Sequence, residues 1–361
     1  MVYMSSILAA MSDAQRQAYY LDCANIALAQ YDLGAVSVHF IQHNAGIAYR
    51  LEASDGAARF LLKIHESAGE SLMDTPAQLA AQMAWLQALT EDGRLIVQSP
   101  IANRQGEFVT QAQLAGLDRL SSLCVQRWIT AQHVDHWDKP HSWAVGVLLA
   151  SLHSISEQWP GSASQAFGSY EDRYLVEAVA GLSATVDLGL INTEQYDLIC
   201  RAAGRILAML ASAERTQATF GLIHGDIHQG NVLFDGMTAL ALDYGTFRSF
   251  FLYDLGVALY HTTFDTVAIR HALVAGYDSV RPLSEAAHAS LEAYMIMAAL
   301  FSLAFQATLR EHCLSPVNRR NMRQLVEHFC RPFVAEQPFL FAGHSLTDDF
   351  SDQSTTQAPL P

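Results

Sequence analysis

Residues 222–234 read LIHGDIHQGNVLF, and LDYG follows at 242–245, so that Asp243 stands twelve positions past Asn231. Two histidines, an aspartate and an asparagine therefore sit between short apolar runs. Burying such groups without partners is costly, so the stretch belongs at a surface or a site. Gly225 and Gly230 flank a loop that enters the strand-like NVLF, and a second short strand, ALAL, leads to Asp243. A hairpin of this kind would bring Asp226, Asn231 and Asp243 to one end of two neighbouring strands. Two carboxylates and an amide oxygen are hard donors, suited to Mg²⁺ with water and phosphate as its remaining ligands. One carboxylate free to accept a hydroxyl proton, with the other oxygens on metal, is the logic of phosphoryl transfer to an alcohol. A lone aspartate beside glycine is ordinarily a capped turn; the ordered set is what favours chemistry. His224 and His228 also raise a zinc site, but no third nitrogen or sulfur ligand lies at useful spacing.

The rest of the chain bounds this reading. Its 361 residues suffice for two domains or one large lobed domain, and 51% hydrophobic with 16% charged residues supports a sizeable core. A net charge of −15 argues against nucleic acid as a partner. It leaves a small anion possible, because a local cluster of donors overrides the global field. Cys23, Cys124, Cys200, Cys313 and Cys330 are odd in number and scattered, with no metal or disulfide spacing. That suits a reducing cytoplasm. The opening MVYMSSILAAMSDAQRQ lacks the basic flank and long apolar run of a signal peptide. Residues 293–309, AYMIMAALFSLAFQATL, carry no charge but fall just short of a spanning length, so a buried core helix is expected and no membrane partner.

Along the chain, residues 12–32 have helical texture with Ser12 as N-cap. VSVHFIQ, IAYRLEA and ARFLLKIH follow as strands, with SDG at 54–56 as a turn. PAQLAAQMAWLQAL reads as a helix over 76–89, and LIVQSPI, GEFVT and SLCVQRWI as further strands. From Ser142 the pattern is helical except at 222–244, and the last twenty residues are polar and expected to be disordered. The fold class expected is α+β, with a small antiparallel-sheet N-terminal lobe and a larger helical C-terminal lobe.

HGDIHQGN followed by DYG resembles the catalytic and metal-binding loops of the aminoglycoside phosphotransferase and choline kinase-like family. YDLGAVSVHFIQHNAGIAYRLEASDGAARFLLKIH is similar to the N-terminal strands of its homoserine-kinase-like and stress-response-kinase-like branch, and FLYDLGVAL to the core of its C-terminal lobe. The resemblance implies a bilobal protein-kinase-like fold, with an N-terminal lobe over 1–125, a hinge at 126–130, a C-terminal lobe over 131–341 and a flexible tail at 342–361. It implies an ATP-dependent phosphotransferase, GTP not excluded, acting with Mg²⁺ on a hydroxyl of an amino alcohol, a hydroxy amino acid, or an aminoglycoside- or macrolide-like antibiotic. Asp226 would be the catalytic base and His228 would line the acceptor or phosphate site. Asn231 and Asp243 would ligate the metal. Lys63 would contact the nucleotide phosphates, with Gln82 at the place of its helix partner and His43, Asn44, Ala45 and Gly46 forming the covering turn. Gln126, Arg127, Trp128 and Ile129 would present backbone groups to adenine. His224 would support the loop, and Asp254 would brace it through backbone hydrogen bonds.

The chain departs from the family pattern in three places. Gln82 stands where a glutamate usually pairs with the lysine, with Glu66 and Glu70 as alternative partners. Gly245 stands where close relatives carry an acid, and the covering turn lacks GxGxxG. Glu171, Asp172 and Glu177 could attract a cationic acceptor, though solvated helix faces explain them as well. The competing functions are a serine/threonine protein kinase of the same fold and a nucleotide-binding regulator or inactive pseudokinase without turnover.

Overall fold

The computed structural model describes residues 11–43, 46–56, 58–65, 75–113, 120–164, 166–245, 247–262, 266–308 and 316–341. Asn44, Ala45, Glu66, Glu70 and the segment 342–361 lie outside the described residues. The chain divides into two compact units, Met1–Gln132 with Trp159–Gly168, and His133–Gln158 with Ser169–Pro361.

In the first unit, helix α1 (Asp13–Leu28) starts at Ser12, whose side chain and that of Gln15 form a reciprocal capping box. Strands β1 (Val36–His43), β2 (Ile47–Ala53) and β3 (Arg59–His65) follow as an antiparallel meander. Gly56 supplies the positive φ of 70° between β2 and β3. Helix α2 (Pro76–Asp92) has a second capping box, Thr75 with Gln78, and stops at Gly93 in the left-handed region. β4 (Pro100–Ile101), β5 (Thr110–Gln113) and β6 (Leu120–Arg127) complete the sheet, in which β6 pairs with β3, β4 and β5.

Alternation along the strands decides what faces where. Leu62, Ile64, Leu123 and Val125 enter a core with Tyr19, Tyr20, Cys23 and Ala24 of α1. Lys63, aligned with Cys124, and Leu61, aligned with Gln126, share the opposite face. Gln126 Nε2 reaches Met83 Sδ at 3.7 Å, so α2 covers that face.

Two expected strands are shorter than their sequence texture. LIVQSPI contributes only Pro100–Ile101, and GEFVT contributes a strand only from Thr110. For the second, Asn103 is the reason: its Oδ1 accepts the N–H groups of Gln105 and Glu107, and its own N–H donates to the Glu107 carbonyl. That closes a side-chain-tied turn where a ladder would otherwise run. The segment Trp159–Gly168, expected within the helical region, groups with the first unit, where Trp159 packs on Trp85 at 4.9 Å between ring centroids.

The second unit is helical around two small β-sheets. Helices α3 (Lys139–Gln158), α4 (Asp172–Gly181) and α5 (Thr193–Ser212) precede β7 (Phe220–Ile223), the hairpin β8 (Val232–Asp235) and β9 (Thr238–Ala241), and β10 (Phe247–Phe250). Helices α6 (Phe251–His261), α7 (Val267–Asp278), α8 (Glu285–Thr308) and α9 (Pro316–Leu325) follow. β10, not anticipated as a strand, pairs antiparallel with β7.

Glycines let these helices meet backbone to backbone. A Cβ on Gly146 of α3 would lie 2.1 Å from the Leu273 carbonyl oxygen, and one on Gly276 of α7 would lie 2.1 Å from that of Trp143. The α3–α7 crossing is therefore open only to glycine at both positions. Gly256 of α6 similarly admits the backbone at Tyr294 of α8. Helix α8 contains the stretch Glu285–Ala307, long and apolar enough to cross a membrane, but 61% of its apolar window is buried. Leu291, Tyr294, Met295, Ile296 and Leu300 face protein, as expected of a core helix.

Candidate active site

Strand β7 delivers the chain to His224, Gly225 and Asp226, and the hairpin β8–β9 returns it to Asp243. Gly225 takes φ 85°, and Asp243 takes φ 55° in the left-handed region that few side chains other than Asn and Asp tolerate. This bend places the short polar side chains outside the apolar strands that carry them. Asp226 and Asp243 are exposed, and Asn231 is partly buried.

Backbone and side chains fix the cluster. Asn231 Nδ2 donates to Asp226 Oδ2 and to the Asp226 carbonyl, both at 3.0 Å. Its carbonyl accepts the Leu242 N–H at 2.8 Å, tying the residue before Asp243 to the same turn. The structure thus brings Asp226 and Asn231 into contact and sets Asp243 beside them through its neighbour. His228 Nε2 lies 3.6 Å from Asp226 Oδ2, while its Nδ1 accepts the Gly230 N–H at 3.0 Å and closes a short 3₁₀ turn, Gln229–Asn231.

Beneath the loop the polar groups are buried and fully directed. Asp254 of α6, 0% exposed, accepts the His224 N–H on Oδ2 at 2.6 Å and the Gly225 N–H on Oδ1 at 2.7 Å. The brace expected of Asp254 is therefore present. His153 of α3 adds a third contact, Nε2 to Oδ2 at 3.1 Å. His224 supports the loop as expected: Nδ1 accepts the Asp226 N–H at 3.2 Å, which leaves Nε2–H to donate to the Leu242 carbonyl at 2.9 Å.

Burial and charge set the protonation states in opposite senses. Partial desolvation pushes the Asp226 carboxyl up, but the charge of His228, 3.6 Å away, leads the effects that outweigh it and hold the group below the usual carboxylate range. Burial depresses His153 against the hydrogen bond and charge of Asp254. It depresses His224 against Asp254, Asp226, the Leu242 carbonyl and Asp243. His261, beneath His228, is pushed down to about 4 by burial and by His228, against Asp226.

The three histidines carry a stability consequence. They stay neutral in the folded chain, whereas unfolded they titrate near pH 6.5. Below that pH the unfolded chain binds protons that the folded chain refuses, so their contribution is complete above about pH 6.5 and is lost as pH falls toward 4. Thermal midpoints should therefore fall steadily from pH 7 to pH 5. A flat profile over that window would contradict the assignment.

Gly245 has a packing reason. A Cβ there would lie 2.7 Å from Phe247 Cε2 and 3.0 Å from the His224 carbonyl, so no acid fits without displacing Phe247. Phe247 stacks on Tyr170 at 4.2 Å, and Tyr170 neighbours Tyr174, which is 39% exposed. A Cβ on Gly225 would lie 3.6 Å from Tyr170 Cε2, so this aromatic wall adjoins the loop that carries Asp226. Sequence reasoning missed Tyr170 and Tyr174 because some fifty residues separate them from the loop and no motif marks them. Of the acids considered for cation attraction, Glu171 pairs with Arg215 and Glu177 with Arg173, so both charges are already matched.

The first unit carries the other expected residues. Lys63 sits near the end of β3 on the face covered by α2, and Gln82 is a partly buried α2 residue preceding Met83. A Cβ on Gly46 would lie 2.6 Å from the Ile64 carbonyl oxygen, so packing of β2 on β3 already requires glycine there. Gln126 and Arg127 are strand residues of β6, not open hinge. The Arg127 N–H donates to the Ser99 carbonyl at 2.8 Å and the Trp128 N–H to the Arg59 carbonyl at 3.1 Å. Those two donors are engaged within the unit.

Among the described residues, no group of three or more His, Cys, Asp or Glu side chains could hold a metal ion. Asp226, Asn231 and Asp243, one of them an amide, do not form such a group. A cavity of about 770 Å³ in the second unit, bordered by Met209, Phe250, Tyr277, Arg281 and Tyr294, contains none of these three residues.

Residues 39–294 match the family model of the phosphotransferase enzyme family. The chain belongs to this family. As a member of the phosphotransferase enzyme family it is a small-molecule kinase. The homoserine kinase of Phenylobacterium zucineum is 30% identical over 275 residues, covering 73% of this chain and 77% of that protein. The homoserine kinase of Gluconacetobacter diazotrophicus is 28% identical over 291 residues, covering 76% and 83%. Among solved structures, a microcompartment-associated aminopropanol kinase superposes with a TM-score of 0.71 at 20% identity, over 88% of this chain and 98% of that one. An amicoumacin kinase in complex with AMP-PNP, Ca²⁺ and Ami superposes with a TM-score of 0.70 at 17% identity, over 91% and 97%. These structures share the kinase-like α+β fold with this phosphotransferase.

Proposed function

We propose that this chain transfers the γ-phosphoryl group of ATP to the hydroxyl of a small amino-bearing alcohol, a hydroxy amino acid of the homoserine type first among them. The observation that carries the reading is Asp226, an exposed carboxylate kept ionised on a loop held by Asp254, His224 and Asn231. An ionised carboxylate fixed in this way can orient the acceptor hydroxyl and receive its proton as the oxygen attacks phosphorus. His228, 3.6 Å away, keeps it ionised and lines the same surface. The homoserine kinases among the relatives support the acceptor class.

The oxygen donors fit Mg²⁺. Asn231 directs Nδ2 at Asp226, which turns its Oδ1 away, and Asp243 presents an exposed carboxylate on the adjoining backbone. Asn231 and Asp243 would hold the ion, which when bound neutralises charge on the nucleotide phosphates. In the first unit, Lys63 is the proposed phosphate contact. With the Arg127 and Trp128 donors engaged, the proposed adenine contact narrows to the Ile129 N–H and the neighbouring carbonyls.

A second reading, an antibiotic acceptor, is supported by the fold shared with the amicoumacin kinase and with a spectinomycin phosphotransferase at a TM-score of 0.56. Coupled measurement of ADP release with homoserine, 1-amino-2-propanol, spectinomycin and a protein acceptor separates the readings. Turnover with homoserine or the amino alcohol is expected; release that no acceptor stimulates would refute phosphoryl transfer. Asp243→Ala should abolish Mg²⁺-dependent nucleotide binding more severely than Asn231→Ala, because a carboxylate brings full charge to the cation and an amide only a dipole. Nucleotide titration with and without Mg²⁺ tests this. If both variants bind Mg²⁺–nucleotide like the wild type, the metal is held elsewhere.

A further inference from the structure

Helices α3 and α7 are pressed together at Gly146 and Gly276, and the next residue of α7, Tyr277, faces His153 two turns along α3. His153 is 0% exposed and Tyr277 2% exposed. The Tyr277 hydroxyl lies 3.0 Å from His153 Nδ1, and His153 Nε2 lies 3.1 Å from Asp254 Oδ2. Asp254 already receives the His224 and Gly225 N–H groups. A carboxylate can only accept, so Nε2 carries the proton, and Nδ1 is left to accept from the tyrosine. Tyr277, by donating to Nδ1, stabilises and orients the tautomer that gives Asp254 its third donor. Arg281, anchored by Glu157 at 2.6 Å and the Ala218 carbonyl at 2.8 Å, borders the outer end of this chain beside the Tyr277 hydroxyl.

We infer that His153 and Tyr277 are positioning residues: acting through Asp254, they hold the His224 and Gly225 backbone, and with it Asp226, in the orientation needed for phosphoryl transfer. The inference rests on the role proposed for Asp226. Without His153, Oδ2 of a buried carboxylate loses one of its two donors, and Asp254 is free to rotate about the remaining bonds. The Gly225 peptide, at φ 85°, has no other described clamp on its N–H.

Three variants test it, His153→Leu, His153→Gln and Tyr277→Phe. Glutamine places an amide N–H where Nε2–H stood; leucine places none. His153→Leu is expected to lower kcat per folded molecule roughly 10- to 100-fold, with nucleotide KM within about twofold of wild type. His153→Gln should return kcat to within about fivefold. Tyr277→Phe, which keeps the ring, should lower kcat by roughly three- to tenfold without lowering the thermal midpoint in proportion. Amide hydrogen exchange of residues 222–227 should accelerate at least about tenfold in His153→Leu and recover in His153→Gln. A purely packing role predicts glutamine no better than leucine and exchange unchanged at the loop; either result overturns the inference. If His153→Leu fails to fold, His153→Gln and Tyr277→Phe decide, since wild-type kcat and exchange in Tyr277→Phe are equally fatal. If the wild-type chain turns over no acceptor, the proposed function fails, while the exchange measurement still decides the positioning role.

Discussion

Asp226→Asn should lower kcat by about two to three orders of magnitude or more while leaving nucleotide binding and folding close to wild type. The substitution preserves size, and the groups that hold the loop remain: Asp254 still receives the His224 and Gly225 N–H groups, and His224 still joins the Asp226 N–H to the Leu242 carbonyl. What is lost is the ionised oxygen that receives the acceptor proton. Since that proton moves only as the new oxygen–phosphorus bond forms, the loss falls on kcat rather than on KM for nucleotide. The hydrogen bond from Asn231 survives if the new amide turns its oxygen toward Nδ2. Stopped-flow kinetics with a parallel nucleotide Kd and thermal midpoint decide the matter. Near-native turnover would remove Asp226 from the chemistry. A lost nucleotide Kd would show instead that its carboxylate helps to hold the metal.

Much of this was legible in the sequence because short polar motifs and strand alternation are local. The order His224, Asp226, Asn231 and Asp243, with glycines between, announced a bent loop and a hairpin, and the hairpin pairs Val232 with Ala241 as such a loop requires. Ser12 and Pro76 marked helix starts that the structure keeps, whereas the second helix runs on to Asp92, past the end expected at residue 89. The strand GEFVT was over-read because its β-rich composition gave no sign that the Asn103 side chain would close a turn over residues 103–107. The absence of an acid at position 245 was visible in the sequence, but not its cause. Phe247 folds back over both Gly225 and Gly245, a contact no spacing rule reveals. His153 and Tyr277 stand 101 and 23 residues from Asp254 in sequence, and the glycine-to-glycine crossing of α3 and α7 is what brings the first two together.

Asp254→Asn should fail in a different way from Asp226→Asn, losing stability and turnover together. Asp254 is wholly buried and its two oxygens accept three N–H groups, from His224, Gly225 and His153. An asparagine offers one oxygen and one NH₂. If the oxygen takes the Oδ2 position, the NH₂ faces the Gly225 N–H; if it takes the Oδ1 position, the NH₂ faces both His224 N–H and His153. Every orientation sets donor against donor; in the second, His153 can relieve its own contact by exchanging its tautomer and donating to the Tyr277 oxygen, but the His224 N–H still faces the NH₂. At least one buried N–H is left without an acceptor, at about 1–3 kcal/mol, and the charge-assisted part of the remaining bonds is lost as well. A total of about 3 kcal/mol or more is expected, together with a fall in kcat of roughly 100-fold or more as the loop carrying Asp226 loosens. Urea unfolding and kcat on the same preparation test both halves. Full stability with lost turnover would place Asp254 in contact with substrate rather than beneath the loop. Lost stability with wild-type kcat per folded molecule would mean that the loop keeps its shape without the brace.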